Sequence, residues 1–232
     1  MENTKGSISH ISFSWLSSTY VAFTGQRYFW VYQKKLGPEG QMDYPDDYPF
    51  EHLLHFALSC KDIVVYFNSH HLLKARLQKA LDKANLPALP APSETCWGSL
   101  LECFESLLKA EEVLQAIVTH REFELGGRPQ QQTQKIFIKG LITDSNFVPY
   151  LQQSIKILQP INSHLIFCED DKYPISEGFQ CFNVLTDIFE ESSTLKEDEK
   201  KYLVKVTDAR ARFIYGDAHG FGNLLDHRYL GD

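Results

Sequence analysis

No two of the five cysteines form a C-x-x-C pair, and their odd number at Cys60, Cys96, Cys103, Cys168 and Cys181 excludes a simple disulfide framework. The pattern fits reduced thiols of an intracellular protein. Residues Met1 to Lys5 carry no basic n-region ahead of a long apolar run, and no segment reaches the ~18 consecutive apolar residues of a membrane span. A soluble protein with no membrane partner is expected. A formal net charge of −7 and a pI near 5.7 exclude a module that coats DNA with a basic face, although a local basic patch stays open. No basic cluster marks a nuclear localisation signal, no repeat of fixed period is visible, and Gly220-x-Gly222 lacks the rest of a phosphate-binding fingerprint.

What the chain does hold is enough apolar material for a core: 43% of its 232 residues are hydrophobic, which allows one large domain or two small ones. Three runs near the start, Ile11–Leu16, Tyr20–Thr24 and Tyr28–Tyr32, are rich in β-branched and aromatic residues and predict a small antiparallel meander. Residues 36–49 then read as loop, with Gly37, Pro38, Gly40, Pro45 and Pro49.

Beyond residue 50 the spacing turns helical. Leu54, Leu58, Val65, Leu72, Leu73, Leu77 and Leu81 predict one long helix to about Lys83, or two with a break near Asn68-Ser69. Leu86–Pro92 is a proline-punctuated connector. Ser93 or Thr95 is expected to cap a helix running to about His120 on a stripe of Leu100, Leu101, Phe104, Leu107, Leu108, Val113, Leu114 and Ile117. Residues 122–134, with Gly126, Gly127, Pro129 and a glutamine-rich tract, read as an exposed loop. Further helices are expected over 144–168 with a kink at Pro160, over 174–191, and over 196–215. The fold class is therefore mainly α with a small N-terminal β-meander, an α+β protein.

Three blocks in order resemble the hAT superfamily of transposases, whose ribonuclease H-like fold is interrupted by a helical insertion domain. DIVVYFNSHHLLKARL at 62–77 is similar to the family helix of "DIVKYFKNHH" type. LPAPSETCWGS at 89–99, with LECFESL at 101–107, resembles "LPxxTRWGS…CLESLL" at the start of the insertion. NLLDHRYLGD at 223–232 is similar to "LLDPRYLG", where the chain returns to the catalytic fold, and SIKILQPI at 154–161 resembles an "LLKPI" helix. The resemblance spans about residues 50–232 and implies a partial ribonuclease H-like fold with a helical insertion bundle. It divides the chain into an unassigned 1–49, the end of the first ribonuclease H-like half with its connector over 50–92, the insertion domain over 93–222, and a truncated second half from 223 to 232.

That family cuts DNA with a D-D-E carboxylate set holding magnesium, the only cofactor the resemblance would imply. The opening strands here contain no aspartate, no C-x-x-H occurs, and the family's final glutamate lies beyond the "LLDPRY" block, where this chain stops. The expectation is a truncated or domesticated, catalytically inactive transposase-derived protein with no cofactor. It would be nuclear by resemblance, in weak contact with DNA, with itself or with full-length relatives. Edges meant for missing halves would favour oligomerisation or poor solubility.

Trp97 stands where a family tryptophan stacks on a flipped base. An indole can hold an unpaired base in this way, though Cys96 replaces the usual arginine before it, and Trp97 reads more readily as a packed helix-start anchor. Lys74, Arg76, Lys79 and Lys83 on one helix and Lys205, Arg210 and Arg212 on another are the candidate phosphate contacts, or ordinary solvated faces. His52, His55 and Cys60 are too few for a zinc site and read as structural or surface residues. His70-His71 falls beside the helix break, and Asp217-Ala-His219-Gly220 reads as a helix-terminating turn. Two alternatives from other classes stay open: a helical protein-interaction domain unrelated to transposons, and an active metal-dependent transposase subunit using Asp43, Asp46 or Asp47 with Asp226.

Overall fold

The structure, a computed structural model, describes residues 48–93, 98–124, 129–169 and 175–214. These residues are mainly α-helical. The predicted meander and the block at 223–232 lie outside the described residues. The helices are α1 (Glu51–Ser69), α2 (His71–Lys83), α3 (Ser99–Lys109), α4 (Glu111–Val118), α5 (Arg121–Glu124), α6 (Pro129–Ile142), α7 (Phe147–Glu169), α8 (Ile175–Glu191) and α9 (Glu197–Ile214). The chain divides into two compact units, one comprising residues 52–157 and the other residues 1–51 with 158–232.

In the unit of residues 52–157, α1 and α2 are two helices, with the break at His70. His70 is extended at φ −109° and ψ 101°, so its N–H leaves the helical ladder. The Tyr66 carbonyl that an unbroken helix would pair with that N–H instead accepts the Ser69 hydroxyl at 3.0 Å, and His70 Nδ1 lies 2.7 Å from it. The histidine is thus protonated at Nδ1 in this arrangement, with its ring 4.5 Å from the Tyr66 ring. Side chains satisfy the orphan carbonyl, which is why the chain can bend there without proline.

At its other end α2 closes in a Schellman motif. Asn85 takes the left-handed conformation at φ 56°, the Leu86 N–H donates to Leu81 O at 2.9 Å, and the Asn85 N–H donates to Asp82 O at 3.1 Å. Pro87 follows, where it cannot extend a helix. The connector of residues 86–93 is irregular, as expected, and Leu89 is buried along it.

Two expectations for the next segment are corrected. Ser93 does not cap α3, which begins six residues later behind Gly98 with no side-chain cap. The helix does not run unbroken to His120 either: it bends at Ala110, although Ala110 N–H→Ser106 O at 3.0 Å and Leu114 N–H→Ala110 O at 2.9 Å carry the hydrogen-bond ladder through the bend. Most of the predicted stripe is buried, including Leu100, Phe104, Leu107, Leu114 and Ile117, whereas Leu108 and Val113 are half-buried.

The expected loop of residues 122–134 is also corrected, since Pro129 opens α6 and the glutamine tract lies in its first turns. Proline at a first helical position lacks only an N–H that would have no partner there, and glutamine is a good helix former. Phe56 joins α1 to α3 and α7 through ring contacts with Phe104 at 6.2 Å, Phe147 at 5.9 Å and Tyr150 at 5.5 Å.

The other unit is built on α8 packed against α9. Tyr48, Phe50 and Tyr202 form a mutual edge-on triad at 5.5 to 5.9 Å, worth about 0.5–1.5 kcal/mol per pair beyond area burial. The start of α9 is secured by buried Glu199, whose carboxylate accepts the Lys196 N–H at 2.9 Å, one half of a capping box. Pro160 lies inside α7. It leaves Lys156 O without its usual donor.

Candidate functional site

The candidate basic residues at 74–83 lie on α2, and the connector that follows leads to α3. Trp97 lies outside the described residues, but its two flanks are fixed. Ser99 Oγ accepts the Ser93 N–H at 2.8 Å and donates to Ser93 O at 3.1 Å, so one buried hydroxyl ties the end of the connector to the start of α3.

Helical spacing of 100° per residue distributes the basic side chains of α2. Leu77 and Leu81 define its buried face. Lys74 and Arg76 then fall on opposite flanks, and Lys79 lies on the outer face between them. The three do not form one cluster. Arg76 is engaged, because its guanidinium donates to Glu122 Oε2 on α5 at 3.0 Å, with His120 Nδ1 3.9 Å from the same carboxylate oxygen. Lys74 is exposed, and its ammonium has no ion pair among the described residues. Arg212 is exposed on α9, in the other unit, and the Arg210 side chain lies outside the described residues.

The histidine and cysteine candidates do not gather. His55 is exposed, His52 sits 5.6 Å from the Tyr150 ring, and Cys60 is wholly buried. Among the described residues there is no group of three or more side chains able to hold a metal ion. Asp43, Asp46, Asp47, Asp217, His219 and Asp226 lie outside them. Cys60 and Cys103 are both buried in the core. Burial pushes the Cys60 thiol well above its ordinary value, with a further push from Cys103, and burial raises Cys103 to about 12. Such thiols stay protonated and are poor nucleophiles.

One feature escapes sequence reading: a cleft of about 250 Å³ between the end of α1, α2 and the connector, lined by Val64, Phe67, Asn68, Lys74, Leu77, Gln78, Leu81, Ala88 and Leu89. Leu77 and Leu81 belong to the predicted apolar stripe, whereas Val64, Phe67 and Leu89 do not, and the gap between them depends on how the connector returns past α2. The Schellman turn at Asn85 is the local signal that sets this course. Compared with protein-family models, curated proteins and solved structures, the chain finds no match in any of the three.

Proposed function

We propose that this chain is a hAT transposase-derived protein that acts without strand-cutting chemistry, binding unpaired DNA through the insertion-domain entrance and associating with itself or with related subunits. In this reading residues 50–92 are the end of the first ribonuclease H-like half, 93–222 the helical insertion and 223–232 the start of the second half. Its place would be the nucleus.

The observation that carries the reading is where the blocks fall on the helices. The block at 62–77 spans the break at His70, and the "WGS" of the second block meets the start of α3 at Ser99. Trp97, between Ser93 and Ser99, which are tied to each other, would stack on an unpaired base without sequence readout. Lys74, Lys79, Arg76, Arg210 and Arg212 would supply phosphate contacts, with Arg76 first freed from Glu122. Magnesium would enter only with an intact D-D-E set, and Ile11–Tyr32 contains no aspartate.

Fluorescence anisotropy of a labelled DNA hairpin with unpaired bases, against a blunt duplex of equal length, tests the proposal. Salt-sensitive, hairpin-preferring binding supports it. Equal or absent binding refutes it.

The exposed apolar residues favour a second reading, a helical protein-interaction domain. Leu72 is 89% exposed, Ile136 73% and Phe137 50%. Concentration-dependent self-association without DNA affinity would select this reading.

A further inference from the structure

We propose that the cleft between α1, α2 and the connector is a binding site for a small carboxylate with an aromatic or branched aliphatic body. Val64, Phe67, Leu77, Leu81 and Leu89 form its walls, each less than 10% exposed. The volume of about 250 Å³ lies just below the range usual for small-molecule pockets, which selects a ring or a short branched chain over a nucleotide or a lipid.

Asn68, Lys74 and Gln78 complete the lining, and each can present N–H donors. Gln78 Nε2 donates to Asp82 Oδ1 at 2.7 Å, which holds the amide in place and leaves it a second N–H. The first turn of α2 has no acidic residue. Asp82, the one carboxylate on that stripe, is eight residues from Lys74, about 12 Å along the axis. Lys74 thus lines a cleft of mixed polarity, and it is exposed with no ion pair among the described residues. A carboxylate would supply the missing partner while its apolar body fills the gap. This site does not rest on the DNA-binding reading, although it shares Lys74 with it, so a bound carboxylate would compete there with a phosphate.

Titration of the full chain with benzoate and with cyclohexanecarboxylate, followed by amide ¹H–¹⁵N shifts, tests the site. Saturable shifts centred on Phe67, Asn68, Leu77 and Leu89 are expected. Lys74→Gln should weaken binding about tenfold, the usual worth of a charge-assisted hydrogen bond. Ala88→Leu, at an exposed lining position, should block it while leaving the rest of the spectrum unchanged. The neutral isostere benzamide should bind at least about tenfold more weakly than benzoate. The proposal is overturned if the shifts do not saturate, if they scatter over surface lysines, if benzamide matches benzoate, or if both variants bind as the parent does.

Discussion

Ser99 holds both backbone polar groups of Ser93, accepting from its N–H at 2.8 Å and donating to its C=O at 3.1 Å. The hydroxyl is buried, so Ser99→Ala would remove two hydrogen bonds to the half-buried Ser93 backbone near the start of α3. An ordinary hydrogen bond is worth about 0.5–1.5 kcal/mol net, so the pair is worth about 1–3 kcal/mol. Urea unfolding should show a loss of that size with an unchanged m-value. No loss would mean that water replaces the hydroxyl and that Ser93 and Ser99 are not tied to each other.

Asn85 provides a second stability test, because its positive φ is tolerated by asparagine and glycine and resisted by residues with a full Cβ conflict. Asn85→Ala should cost about 1 kcal/mol, whereas Asn85→Gly should be neutral or slightly stabilising. Thermal midpoints of the pair check the Schellman turn that directs the connector past the cleft.

The buried thiols predict a pH dependence on the alkaline side. Cys60 and Cys103 have pKa values raised above 9.0 in the folded chain, Cys103 to about 12. The folded state therefore binds more protons than the unfolded state once the pH passes about 9, and stability falls with rising pH from there towards 12. Cys60→Ala/Cys103→Ala should flatten that decline while costing core packing at neutral pH. In the parent, both thiols should resist alkylation at pH 8 until denaturant is added.

Arg76 and Glu122 predict a gain. Their exposed pair contributes little to folding, about 0–1 kcal/mol, yet it occupies a candidate phosphate contact. Glu122→Gln should leave the thermal midpoint nearly unchanged and raise hairpin affinity by about two- to fivefold at low salt, the change expected when one exposed pair is released. An unchanged affinity would remove Arg76 from the proposed interface.

How much of this was legible depended on whether the signal was local. Start and stop signals announced α7, α8 and α9 to within a few residues, and apolar spacing announced α1 and α2, although of the stripe read for those two only Leu54, Leu77 and Leu81 are buried while Val65 and Leu72 are exposed. The break between α1 and α2 was foreseen only as one of two possibilities, and two side chains accepted by Tyr66 O decide it. Ala110 gave no warning of its bend, alanine being the best helix former. The start of α6 was missed because a Gly-Gly-Arg-Pro tract followed by glutamines reads as loop, while Pro129 and the glutamines are compatible with a first turn once Ile138 and Ile142 are buried behind them. Basic residues on α2 were legible, but their separation onto opposite flanks needed the direction of the buried face.

The most direct test is hairpin binding by the full chain with Trp97 intact and with Trp97→Ala, measured by anisotropy alongside Trp15→Phe as a control for tryptophan loss. Stacking on one unpaired base is worth about 1–3 kcal/mol, so Trp97→Ala should weaken hairpin binding about five- to hundredfold, with duplex binding and the thermal midpoint little changed. Hairpin affinity that survives Trp97→Ala, or a midpoint that collapses with it, would show Trp97 to be a packed anchor and would contradict DNA contact through the insertion-domain entrance.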